Sequence, residues 1–331
     1  MSIVVVGSCN MDYMMQVTSL PKRGETIFAV SHSTAAGGKG ANQAVAAARL
    51  GSRVYMVGRV GSDEAGRVLV ESLERAGVDA SKVGKDAMES TGSAYITVDR
   101  DGANTIVVNR GANFAIKPSH VTAAESLIQE ADVVVVQLET PIEVVFQALR
   151  LARKHGAVTV LNPAPMAPLK GEMLALADWL IPNETEAFSL LRSLGLSREP
   201  NGKIVKGRDP AIDVARRLAN VTGSNVVVTF GDKGCAYAGP LDREGIAFPA
   251  YEVDAIDTTG AGDTFVGALA CVLDESLGGS IDIATLIAHA QAAAAISTTS
   301  LGAQTSMPIR TEVEEFLAER GGGSGHGRQR G

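Results

Sequence analysis

The chain has 331 residues, 45% hydrophobic and 20% charged, with a formal net charge of −7 at pH 7. Apolar residues this plentiful exclude intrinsic disorder over most of the length, and the acidic balance argues against a nucleic-acid partner. Three cysteines, Cys9, Cys235 and Cys271, are too few and too far apart for a disulfide framework, which points to a reducing compartment such as the cytoplasm.

In chain order the pattern alternates strand and helix. Ile3–Val6 is a β-branched run; Met1–Gly7 has no basic region or cleavage site, so it reads as a first strand and not a signal peptide. Ala41–Leu50 is an Ala-rich helical stretch closed by Gly51, Val54–Val57 is strand-like, and Glu64–Ala76 repeats the helical period up to Gly77. Ser93–Asp99 alternates around Ala94, Ile96 and Val98, a turn signal follows at Asp101-Gly102, and Thr105–Asn109 returns as the second arm of a hairpin. Together with Glu25–Ser31 this hairpin is either a small separate sheet over the site or an edge extension of the main sheet. Val133–Val136, Val158–Leu161 and Val226–Thr229 are the unbroken apolar runs of buried parallel strands. Helical stretches at Ile142–Lys154, Pro210–Ala219, Ala261–Leu273 and Ile281–Ser297 separate or follow them, and Arg310–Arg320 reads as a solvated terminal helix face. The tail Gly321–Gly331 is Gly-rich, basic and expected to be flexible.

This order implies an α/β fold: an open parallel sheet covered by helices, with ligands at the carboxyl ends of the strands. No apolar run approaches the ~18 residues that span a bilayer, so no membrane partner is expected. The histidines (His32, His120, His155, His289 and His326) lack metal spacing and read as structural or surface groups.

Two common nucleotide signatures are missing. The pairs Gly38-Lys39, Gly84-Lys85 and Gly202-Lys203 are followed by Gly, Asp and Ile, so there is no P-loop, and no complete GxGxxG occurs. The strongest local signal is Asp257-Thr258-Thr259-Gly260-Ala261-Gly262-Asp263-Thr264-Phe265. Gly260, Ala261 and Gly262 present nearly bare backbone N–H groups at a helix start, where an anion is favoured. Asp263 stands in the first turn, able to accept a proton from a hydroxyl aimed at that anion. The alternative is a capping acid after a tight turn.

Asp257–Phe265 resembles the second signature of the ribokinase-like (PfkB) carbohydrate kinases. Gly37-Gly38-Lys39-Gly40-Ala41-Asn42-Gln43-Ala44, running on to Gly58-Arg59-Val60-Gly61-Ser62-Asp63, resembles the first. Further segments fit the family's ribose-phosphorylating branch in order: Gly7–Asp12, Gln137-Leu138-Glu139, Asn162–Pro165, Pro182–Glu186 and Gly302–Ser306. The resemblance implies a single three-layer α/β/α domain over 1–317, with a mostly parallel central sheet. Lid segments fall at about 12–33 and 91–112, and a flexible tail at 318–331. It also implies transfer of the γ-phosphoryl of ATP to the 5-hydroxyl of D-ribose, with Asp263 as base and the Gly260–Asp263 backbone as anion hole.

A pentose is a ring of hydroxyls and needs hydrogen-bond partners of both signs. By the resemblance Asn10, Met11, Asp12, Gly38, Lys39, Gly40, Ala41, Asn42 and Glu139 hold the sugar; taken alone, Asn10 and Asp12 also fit a capped turn and Glu139 a helix-start acid. ATP is expected along Thr229-Phe230-Gly231-Asp232-Lys233-Gly234, a stretch that also reads as a hairpin turn. Asn183 and Glu186 are expected to act through magnesium-bound waters and phosphate oxygens, Gly262 and Asp263 to touch the phosphates, and Gln291 to lie beside the adenine and its ribose. Gln291 departs from the Asn or His usual there, and Phe230 is larger than expected. Asp257, Thr259, Ser297, Ser300, Gly302 and Ser306 match positions that ring potassium; without the resemblance a plain Ser/Thr-rich loop is the better reading of them. A homodimer through the lid is implied. The rival readings are another kinase of the family, for deoxyribose, fructose or a nucleoside, and a catalytically silent sugar-binding protein.

Overall fold

β-Branched runs buried on both faces lay down the centre of the fold. The computed structural model describes residues 1–196, 209–240, 244–276, 279 and 282–321. Its strands are Ile3–Val6 (β1), Asn10–Gln16 (β2), Ser31–Gly37 (β3), Val54–Gly61 (β4), Val78–Asp86 (β5), Gly92–Val98 (β6), Asn104–Asn109 (β7), Val133–Val136 (β8), Val158–Leu161 (β9), Trp179–Leu180 (β10), Asn225–Thr229 (β11), Cys235–Ala238 (β12) and Ile246–Phe248 (β13). The helices are Lys39–Arg49 (α1), Glu64–Arg75 (α2), Pro118–Thr122 (α3), Glu125–Glu130 (α4), Ile142–His155 (α5), Gly171–Leu174 (α6), Glu184–Ser193 (α7), Pro210–Thr222 (α8), Ala261–Glu275 (α9), Ile283–Ser297 (α10) and Arg310–Gly321 (α11).

Nine strands form one sheet in the order β13-β12-β11-β10-β9-β8-β1-β4-β5, parallel from β5 to β11 and antiparallel at β12 and β13. Side chains alternate across a strand. Ile3 and Val5 therefore join one core with Leu69, Phe265 and Leu286, while Val4 and Val6 join the other with Val145, Leu190 and Val214. Helices thus cover both faces, the α/β/α arrangement expected from the alternation of elements. Among the described residues no helix is long and apolar enough to cross a membrane.

A second sheet of four strands, β3-β2-β6-β7, stands apart from the first. The β6–β7 hairpin is where its pattern predicts, and it belongs to this separate sheet rather than extending the main one. Two expectations are corrected. Glu25–Ser31 is not a strand: only Ser31 belongs to one, and the strand that pairs with β2 is Ser31–Gly37. Asn10 and Asp12, which taken alone also fit a capped turn, lie instead on β2, parallel to β6. β3 is exposed over most of its length, so no apolar alternation betrays it. The start expected at Ile281 and the tail beyond Gly321 lie outside the described residues.

Candidate active site

The carboxyl ends of β1 and β8, the first residues of β2, and the N-termini of α1 and α9 converge on one place. Alternation along β2 puts Asn10 and Asp12 on one face, while Met11 is buried in the core. The turn before α1 requires Gly38 at φ +90°, where a Cβ would lie 2.7 Å from the Asn10 nitrogen. α1 then begins at Lys39 with no side-chain cap. Its first N–H groups are satisfied from elsewhere: Lys39 N–H donates to Glu139 Oε2 at 3.0 Å and Gly40 N–H to Ser8 Oγ at 3.3 Å. Ser8 Oγ also donates to Glu139 at 2.5 Å. Glu139 is therefore a cap supplied by the loop after β8, rather than a cap of α5. The space beside Gly40 is filled by the backbone of Gly7 and Ser8, so this glycine serves chain packing. Ala41 is likewise core.

Asp263 is the third residue of α9 and is buried. Asn42 Nδ2 donates to its Oδ2 at 3.0 Å, Gln43 Nε2 donates to its Oδ1 at 3.0 Å, and Lys39 Nζ lies 3.9 Å from Oδ1. Asp263, Glu139 and Glu186 all face Lys39, and Asp263 above all raises the Lys39 pKa. Burial, and then the charges of Glu139 and Asp263, push Asp12 up to about 7. Burial also raises Glu186 and drives the Cys9 thiol up to about 12, which keeps that thiol protonated. Four carboxyls and one ammonium around a polar hollow suit a ligand rich in hydroxyls.

On the other side of Gly262 lies a cavity of about 610 Å³. Asn183, Thr229, Gly231, Asp232, Gly234, Gly262 and Gln291 line it, and Phe265 and Tyr251 add apolar wall. The Thr229–Gly234 stretch is indeed a hairpin turn, joining β11 to β12, and it forms the cavity rim as well. Phe230 turns away and packs on the opposite core, and Lys233 is exposed and does not line the cavity. Gln291 Nε2 donates to the carbonyls of Phe248 and Pro249 at 3.3 and 3.2 Å, leaving its oxygen for a ligand. Gly262 has nothing within 4 Å of where a Cβ would stand. Among the described residues no acceptor meets the N–H groups of Gly262 or Asp263, which are orphan donors of a helix start.

Asn183 caps α7 in a reciprocal box: its side chain accepts from Glu186 N–H at 2.9 Å, and Glu186 Oε2 accepts from Asn183 N–H at 2.8 Å. One Glu186 oxygen stays free of that box. Near Gly260, Asp257 Oδ1 accepts from Thr259 N–H at 2.9 Å, and its Oδ2 accepts from Gly302 N–H at 2.9 Å. Burial works against the Asp257 charge, but the bonds from Thr259 and Gly302 outweigh it and hold the carboxyl below its ordinary range. Ser306 Oγ donates to Gly302 O at 2.6 Å and Ser297 Oγ to Ala294 O at 2.8 Å, while Ser300 is exposed in the turn between. Asp257 thus ties these two loops together through Thr259 and Gly302.

Residues 1–310 match the model of the pfkB family of carbohydrate kinases. A ribokinase of Bacillus subtilis is 38% identical over 317 residues, covering 96% of this chain and 99% of the relative. The chain belongs to the pfkB family of carbohydrate kinases. A deoxyribokinase of Salmonella typhi is 35% identical over 319 residues, covering 96% and 99%. The structure of Arabidopsis thaliana ribokinase complexed with ribose and ATP is 33% identical, with a TM-score of 0.84 over 96% of this chain and 98% of that one.

In this carbohydrate kinase, motif reasoning overlooked several groups beside the hollow. Asn113 is 2% exposed, donates to Asn10 Oδ1 at 2.7 Å and clasps both backbone groups of Cys9. Gln43 was read only as part of a signature, yet it touches Asp263. Gln137, Asn162 and Gln304 stand behind these contacts. A polar side chain on the buried stripe of an Ala-rich helix was the available signal for Gln43. The irregular stretch 250–255, which lines the cavity, carried no signal at all.

Proposed function

We propose that this kinase transfers the γ-phosphoryl of ATP to the 5-hydroxyl of D-ribose, giving D-ribose 5-phosphate and ADP. The observation that carries the reading is the position of Asp263. Its carboxylate meets the sugar-side residues Lys39, Asn42 and Gln43, while Gly262 beside it lines the large cavity. ATP lies in that cavity with its phosphates toward the start of α9. Asn10, Asp12, Lys39, Asn42 and Glu139 bind the sugar hydroxyls. Asp263 takes the proton of the hydroxyl as it attacks. The orphan N–H groups of Gly262 and Asp263 face the oxygens on which charge develops, and phosphoryl transfer depends mainly on such positioning and electrostatics.

Asn183 and Glu186 would hold magnesium with the nucleotide. Among the described residues no group of three or more His, Cys, Asp or Glu could hold a metal. Sparse ligation of this kind fits an ion that keeps its waters and arrives on phosphate oxygens, where it neutralises charge. The donors around Asp257, Thr259, Ser297, Ser300, Gly302 and Ser306 are oxygens, which suits a hard monovalent cation such as potassium stiffening the loop before Gly260. The exposed apolar side chains of Tyr95, Ile106, Val107 and Val108 support pairing of two copies through the small sheet. Three buried, free cysteines suit the cytoplasm.

The test is ADP release with ribose, 2-deoxyribose, fructose and adenosine, with and without potassium. Ribose is expected to give the highest kcat/KM. Asp263→Asn, which keeps the shape and removes the base, is expected to lose about a thousandfold in kcat. A variant with near-normal turnover refutes the base. The deoxyribokinase relative makes 2-deoxyribose the second reading, and a preference for that sugar would decide for it.

A further inference from the structure

Four amide side chains are buried behind the catalytic carboxylate: Gln43 is 1% exposed, Gln137 0%, Asn162 7% and Gln304 8%. An amide has a donor end and an acceptor end, and the network fixes which end points where. The anchor on one side is the Ile181 carbonyl, which can only accept. Asn162 Nδ2 donates to it at 2.7 Å, so Asn162 Oδ1 faces Gln43 and accepts from its Nε2 at 3.1 Å. Gln137 Nε2 donates to Gln43 Oε1 at 2.6 Å. Both constraints turn Gln43 Nε2 toward Asp263 Oδ1. On the other side Ser72 Oγ donates to Gln304 Oε1 at 3.2 Å, and Gln304 Nε2 donates to Asn42 Oδ1 at 3.1 Å. Asp263 Oδ2 accepts from Asn42 Nδ2 at 3.0 Å, and Gln304 holds the other end of that amide in the matching direction.

We infer that Gln43 and Gln304 are positioning residues of phosphoryl transfer: from opposite sides they keep a hydrogen-bond donor on each oxygen of Asp263 and fix the plane of that carboxylate. Gln43 acts directly, and Gln304 acts by setting the direction of Asn42. The inference rests on Asp263 serving as the base. A donor on each oxygen stabilises the ionised form, and the fixed plane aims the remaining lone pairs at the hydroxyl. Ser72 belongs to α2 and Gln304 to the loop after α10, so the base is held by parts of the chain that touch neither substrate.

The test uses Gln43→Met and Gln304→Met, which keep length and remove the donor. The loss of a bond to a charged group predicts a fall in kcat of about tenfold or more. For Gln43→Met, sugar and ATP KM should stay within about threefold, because the sugar-binding side chains keep their partners; Gln304→Met also frees Asn42, so its sugar KM should rise while that for ATP holds. The loss in Gln43→Met should fall on kcat at nearly constant KM, because a carboxylate short of one donor is free to turn away from the hydroxyl. A merely structural role would lower the yield of folded enzyme and leave the turnover of the folded fraction in place. In an Asp263→Asn background Gln43→Met should leave residual product formation unchanged. A retained kcat per folded enzyme, or an equal loss in both backgrounds, overturns the inference. If Gln43→Met does not fold, Gln304→Met decides by the same criteria. Near-normal turnover of Asp263→Asn alone would instead overturn the base itself.

Discussion

Replacing Asp12 with Asn isolates what a carboxyl costs when it sits among other carboxylates. Burial first, and then the charges of Glu139 and Asp263, lift Asp12 from 3.8 to about 7. Between those values the folded protein holds a proton that the unfolded chain has already released. Stability therefore falls as pH rises through the interval, and the loss is complete above about pH 7. Each pH unit is worth about 1.36 kcal/mol, so the full cost reaches about 4 kcal/mol at the alkaline end and about 1.5 kcal/mol near pH 5. Below the unfolded value both states are protonated and the cost vanishes. Asn keeps the shape and never ionises. In urea unfolding without sugar, Asp12→Asn should exceed the parent by about 1.5 kcal/mol near pH 5 and by up to about 4 kcal/mol near pH 8.5. An equal gap at the two pH values would refute the reasoning. The same proton competes with sugar hydroxyls: ribose affinity of the parent should weaken as pH falls below 7, while Asp12→Asn binds more weakly throughout and without that slope.

Two glycine substitutions should separate packing from binding. In Gly40→Ala the Cβ would stand 2.6 Å from the Ser8 nitrogen and 2.7 Å from the Gly7 carbonyl carbon; thermal unfolding should report a loss of about 1–3 kcal/mol. Gly262→Ala meets nothing within 4 Å, so its melting temperature should hold while its KM for ATP rises about tenfold as the methyl enters the cavity. Unchanged ATP binding there would remove the cavity as the nucleotide site. Asn113→Ala strips partners from Asn10 and from both backbone groups of Cys9; it should cost about 1–3 kcal/mol in stability and raise the sugar KM while sparing that for ATP. A rise in both KM values would contradict a local role.

The central sheet was legible because Val133–Val136 and its neighbours are buried on both faces and appear as unbroken apolar runs. β3 was not, because Ser31–Ala35 are exposed and their sequence carries no period. β10, with two residues, is too short for any pattern. In the hollow, residues that offer polar groups to a ligand stood inside recognisable motifs. Gln137, Asn162 and Gln304 stood inside family-like segments but without a role, and Asn113 in none, because all four contact other parts of the protein rather than a ligand and no local pattern shows which. The Asn183–Glu186 spacing was legible as a helix start, and the same spacing makes the capping box.

The partners that hold Asp263 come from far away along the chain. Asn42 and Gln43 are 221 and 220 residues before it, and Gln304 reaches back 262 residues to Asn42. Contacts this remote in sequence form slowly, because large loops must close first. A growing chain of half this length already carries Asn10, Asp12, Lys39 and Glu139 but lacks the base, the orphan N–H groups and the cavity. Phosphoryl transfer therefore starts only when the last long-range closures are made. The onset of turnover during refolding is a clock for that final step, later than any signal from the central strands.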